Sequence, residues 1–127
     1  MTDVHVVLDD TAVVAAGGGN LLASRLIHRA HTEPGWHLYV TACALVEADR
    51  ARPGAAGHMA ALPGLIVLDL DLPAALVIAP ERTWAASHTR YAAAPSSERP
   101  DGALIATVVP ARWSGEPVRL IDLTPDP

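Results

Sequence analysis

Four carboxylates stand far apart in a chain of 127 residues: Asp9, Glu47, Asp101 and Asp126. If they meet in space their charges repel, and such a cluster needs cations or protons to hold it. Oxygen donors alone suit a hard divalent ion, Mg²⁺ or Mn²⁺. The elements around each acid decide whether they meet. Asp9 directly follows the apolar run Val4-His5-Val6-Val7-Leu8, which places it at the carboxyl end of a strand. Glu47 lies in the second turn of a helix opened by Thr41, and helical side chains tilt toward the helix N-terminus. Asp101 is expected in the first turn of a helix, and Asp126 just beyond the last strand. In a parallel α/β arrangement all four face one edge of the sheet. Taken singly each acid has an ordinary structural use: Asp9, Asp10 and Asp101 as helix N-caps, Glu47 in a pair with Arg50. Their common placement is what points to chemistry.

The elements that must position them read as follows. Residues 4–8 form a first buried strand. Residues 11–16 form a short helix ended by Gly17-Gly18-Gly19, and Asn20 caps a second helix to about His31. Residues 37–40 are a second strand, followed by a helix from Thr41 to about Arg50 and a shorter one between Pro53 and Leu62. Residues 65–70 are a third strand. Helix follows from about Pro73, interrupted at Pro80 and resumed through Tyr91. Residues 94–100 are a loop, residues 101–112 a helix, and residues 118–123 the last strand. This alternation predicts a single α/β domain over residues 1–127, with a parallel sheet and right-handed crossovers. Ligands of such sheets bind beyond the carboxyl ends of the strands.

The remaining polar residues sort quickly. Arg25 and Arg29 lie one helical turn apart and are the first candidates for a phosphate clamp; Arg90 and Arg99 are second choices. Gly17-Gly18-Gly19-Asn20 lacks the Lys-Ser/Thr ending of a phosphate-binding loop. The six His show no zinc-ligand spacing, although His28 and His31 share a helix face. Cys43 has no flanking cation or His and reads as a small buried apolar residue. None of the serines sits in a nucleophile elbow. Trp36, Trp84 and Trp113 read first as packing residues and second as base-stacking platforms.

Several segments together resemble the PIN-domain family, the fold of VapC-type endoribonuclease toxins. They are Val7-Leu8-Asp9-Asp10-Thr11-Ala12, Tyr39-Val40-Thr41 through Leu45-Val46-Glu47-Ala48, Pro100-Asp101-Gly102-Ala103-Leu104-Ile105, and Leu123-Thr124-Pro125-Asp126. The resemblance implies a PIN-like three-layer α/β/α sandwich, and the alternation of elements with the need for Asp9 and Asp126 to meet gives a parallel sheet in the order 3-2-1-4. The resemblance also implies that Asp9, Glu47 and Asp101, assisted by Asp126, hold one or two Mg²⁺ or Mn²⁺ ions that activate water against an RNA phosphodiester. Asp10 is the alternative first ligand. Thr11 and Thr124 are then hydrogen-bonding supports of the carboxylates or the phosphate. The implied partners are an RNA substrate, an antitoxin protein and a second copy of the chain. The alternative is a noncatalytic PIN-like binding module, which the acidic charge and the chain's end at Pro127 favour. A receiver-like α/β domain expects a Lys near its acids, and the chain has none.

Composition narrows the classes further. Half of the residues are hydrophobic and aromatics make up 4%, with no Phe, so the core is built of Ala, Val, Leu and Ile. All nine cations are Arg, and the net charge is -5, which excludes a broad basic surface. A single Cys excludes an internal disulfide. With no signal-like start and no long apolar run, a cytoplasmic location away from membranes is expected.

Overall fold

The computed structural model describes residues 3–125. Its centre is strand β1 (Val4–Leu8), whose last three residues are fully buried. Helix α1 (Asp10–Gly17) starts at once, because the Asp9 carboxylate accepts the Ala12 N–H at 2.9 Å. Helix α2 (Leu21–Thr32) is capped by Asn20, and β2 (Trp36–Thr41) passes into α3 (Ala42–Ala51) through the Thr41 hydroxyl. After α4 (Ala55–Ala60) and β3 (Leu65–Leu68), Asp71 caps α5 (Leu72–Ile78). Then come α6 (Trp84–Ala93), β4 (Leu104–Thr107), a 3₁₀ turn at Pro110–Trp113, and β5 (Leu120–Asp122).

All five strands are parallel, in the order β3-β2-β1-β4-β5. Alternate residues of β1 face opposite sides. Val6 and Leu8 join Leu38, Val40 and the inner faces of α1 to α4, while Val7 joins Tyr39, Ile105, Trp113 and the alanines of α6. The sheet is thus flanked by helices, as the alternation of elements predicts. Among the described residues no helix is long and apolar enough to cross a membrane.

One element differs from expectation, and it changes the site. Residues 101–112 are not a helix: they contain β4 and the 3₁₀ turn. The run Leu104-Ile105-Ala106-Thr107 is buried almost throughout, as a central parallel strand must be. Gly102 turns the chain into it with φ +70°, and a Cβ there would clash with the Ala93 carbonyl oxygen. Four strands therefore become five. The neighbour of β1 is β4, and the segment read as strand four is β5, one place further out.

Candidate functional site

Asp9 leaves β1 at the carboxyl edge and is completely buried. Its Oδ1 accepts the Ala12 N–H and the Thr11 hydroxyl, the latter at 2.6 Å. Its Oδ2 accepts the indole N–H of Trp113 at 3.2 Å, and Arg112 Nη1 stands 3.8 Å away. Asp10, also buried, accepts a hydrogen bond from the same Arg112 nitrogen at 2.5 Å. Burial works against the charged guanidinium of Arg112. The Asp10 hydrogen bond and the charges of Asp10, Asp9 and Glu47 outweigh it, and the group is held above its ordinary value. One arginine thus pairs with two carboxylates and lies in the field of a third.

The sequence-derived candidates divide between the two edges. Asp9, Asp10 and Glu47 reach the carboxyl edge together, with Glu47 exposed on α3. Thr11 touches Asp9 and also stands 3.2 Å from the Thr107 hydroxyl. Asp101 does not join them. It precedes β4, and since β4 runs parallel to β1 it lies at the amino edge, exposed, its carbonyl accepting from Arg119. The expected first-turn placement depended on a helix that is a strand. Asp126 lies outside the described residues. Thr124 is exposed and donates its hydroxyl to the Val108 carbonyl, not to a carboxylate. Its backbone N–H reaches Asp122, an acid at the end of β5 whose carboxyl is held low by hydrogen bonds from Thr124.

Arg25 and Arg29 do not join the acids either: both line a groove along α2 with His28 and Glu33. Arg29 pairs with Glu33 at 2.9 Å and lies over the Trp36 ring at 4.0 Å, at the end of α2 that leads to the start of β2. Arg99 lies over Tyr39 and close to His5, near the amino edge. Arg90, the other second choice, does line the carboxyl-edge cleft, where it donates to both oxygens of Glu116 at 2.8 and 3.0 Å.

That cleft has a volume of about 880 Å³ and runs between α3, the start of α6 and the 3₁₀ turn. Arg50, Arg82, Arg90 and Arg112 line it, against Asp10, Glu47 and Glu116. The chain as a whole is acidic, yet this cleft is arginine-lined. Beside it, His88 is buried and its Nδ1 accepts the Cys43 N–H at 3.4 Å. Burial pushes the His88 imidazole below its ordinary value, against the opposing charge of Asp71 and a hydrogen bond to the Asp69 backbone. Burial also pushes the Cys43 thiol up, away from nucleophilic character.

Arg112, Arg50 and Arg82 are the residues that sequence reasoning missed. The only local signal for Arg112 is Pro110, which ends any helix there and turns the chain back over β1.

The counter-charge that the described carboxylates meet at this edge is a guanidinium. Both oxygens of Asp9 accept hydrogen bonds, as the carboxylates of metal sites also do, and the Arg112 guanidinium stands beside Asp9 and Asp10. The first turn of α6 carries no acid, and β4 ends in Thr107. Among the described residues no three His, Cys, Asp or Glu side chains are grouped to hold a metal. No protein-family model, curated protein or solved structure matches the chain.

Proposed function

We propose that this chain is a PIN-like three-layer domain that binds an anionic ligand in the carboxyl-edge cleft and does not hydrolyse RNA with a metal ion. The observation that carries this reading is Arg112, inserted between Asp9 and Asp10 within the field of Glu47. A fixed guanidinium offsets part of the carboxylate charge that a hydrolytic metal would otherwise offset, and it cannot lower the pKa of a bound water as a Lewis acid does. The arginine-lined cleft supports the binding half of the reading.

The second reading is the Mg²⁺- or Mn²⁺-dependent ribonuclease. Asp9, Thr11 and Glu47 at one edge of a sheet ordered β3-β2-β1-β4-β5 favour it. Single-stranded RNA incubated with the purified protein and Mn²⁺ separates the two. The noncatalytic reading expects intact RNA at all times; cleavage that Asp9→Asn abolishes establishes the nuclease. Self-association belongs to both readings. Leu21, Leu72, Leu76 and Val77 leave apolar surface on α2 and α5. A homodimer by light scattering is expected; a monomer at high concentration counts against it. A DNA-binding antitoxin encoded beside this chain would be expected only under the nuclease reading.

A further inference from the structure

We propose that the ligand of the cleft is a nucleoside 5′-phosphate, its phosphate held by Arg50 and Arg82 and its base laid on Trp84. The proposal rests on the noncatalytic reading of the site. Two of the four cleft arginines are already engaged: Arg112 with Asp9 and Asp10, Arg90 with Glu116. The other two have no carboxylate within 4.0 Å among the described residues, and they stand on different walls, Arg50 on α3 and Arg82 before α6. Both line the same cleft, so a ligand there can meet two guanidinium groups that no carboxylate engages, a chemistry suited to phosphate oxygens.

The same cleft excludes a bare anion as its best occupant. Glu47, one helical turn before Arg50, presents an exposed carboxylate to the same space. It would repel a simple anion, whereas ribose hydroxyls or a base amino group can donate to it. Trp84 is 61% exposed, an unusual fate for an indole, and it lines the cleft two residues from Arg82. A planar base stacked there covers it and gains contact area that a phosphate alone lacks. The volume, about 880 Å³, lies within the range of small-molecule clefts. The shared chemistry, a 5′-phosphate with a base attached, is found in free mononucleotides and at the phosphorylated end of an RNA.

Calorimetric titration of the full chain in EDTA with AMP, GMP, inorganic phosphate, and short RNAs bearing a 5′-phosphate or a 5′-hydroxyl tests this. Mononucleotides should bind more tightly than phosphate, and the 5′-phosphate RNA more tightly than its 5′-hydroxyl counterpart. The tighter of the two phosphate-bearing classes identifies the source. Arg50→Ala and Arg82→Ala should each weaken AMP and GMP binding about tenfold, the loss of one charge-assisted contact. Trp84→Ala should weaken nucleotide binding and leave phosphate binding unchanged, a difference that general loss of structure would not produce. Arg25→Ala, outside the cleft, should change nothing. Equal affinity for phosphate and nucleotide, binding untouched by Arg50→Ala and Arg82→Ala, or no binding at millimolar ligand overturns the proposal. Because the titration contains no metal, its outcome is separate from RNA cleavage in Mn²⁺, on which the noncatalytic reading stands or falls.

Discussion

The two edges of the sheet hold different kinds of polar cluster. At the carboxyl edge, Arg112 bridges Asp9 and Asp10, and a cleft with further arginines opens beside them. Near the amino edge, His5 stacks on His37 with ring centroids 4.8 Å apart, donates to or accepts from the Tyr39 hydroxyl at 2.8 Å, and feels the charge of Arg99. His37 reaches Asp3 at 3.4 Å. Both clusters contain opposite charges and ring systems. At the amino edge they pack on one another along neighbouring strands, whereas at the carboxyl edge they bound a space. The difference follows from chain direction. Helices begin at the carboxyl ends of parallel strands, so their first turns and the loops before them splay apart there. The carboxyl edge opens onto a cleft; near the amino edge the side chains pack on one another.

The largest effect that tests this division is at Asp9. Asp9→Ala removes a helix cap, leaves the Trp113 indole without its acceptor, and strips Arg112 of one of its carboxylates. A loss of about 2–4 kcal/mol is expected, read as a fall in urea midpoint at constant slope. An unchanged midpoint would mean that Asp9 is not part of a structural ion network. Next in size is Gly102→Ala at the turn near the amino edge. The positive φ and the Ala93 carbonyl predict a loss of about 1–3 kcal/mol, again by urea unfolding.

A smaller effect comes from pH. Burial, then the charges of His37 and Arg99, lower the His5 imidazole, and burial lowers His88. Each is held below the ordinary 6.5, so the unfolded chain takes up these protons first. Stability is therefore full above about pH 6.5 and falls as the pH drops below it. Thermal melts between pH 5 and 8 should show that slope, and His88→Gln should flatten it. The smallest effect is expected on α2. Arg29→Ala removes an exposed ion pair and a stacking contact with Trp36, and its melting point should shift by less than about 1 kcal/mol equivalent.

Much of this division was legible in the residues. Asp9 after a buried apolar run, Asn20 after three glycines and Thr41 after β2 mark helix starts that the structure keeps. The carboxyl-edge position of Asp9, Asp10 and Glu47 follows from those starts alone. The segment from Asp101 onward was not legible in the same way. Leu104-Ile105-Ala106-Thr107 is a short apolar run without alternation, and periodicity cannot separate a buried strand from a buried helix at that length. The error moved Asp101 across the sheet. It also hid Arg112, whose partner Asp10 lies 102 positions away, a separation at which sequence pattern carries no signal.

Arg112 supplies the positive charge beside Asp9 and Asp10. Thermal melts of the parent chain and of Arg112→Ala, each with and without millimolar Mn²⁺, test it most directly. The parent chain should melt at the same temperature in both buffers. Arg112→Ala should melt several degrees lower in metal-free buffer, about the shift expected for 1–2 kcal/mol in a chain of this size. Mn²⁺ should restore part of that loss, because the uncovered carboxylates then have a cation to share. A parent chain strongly stabilised by Mn²⁺, or an Arg112→Ala variant as stable as the parent in its absence, would contradict it.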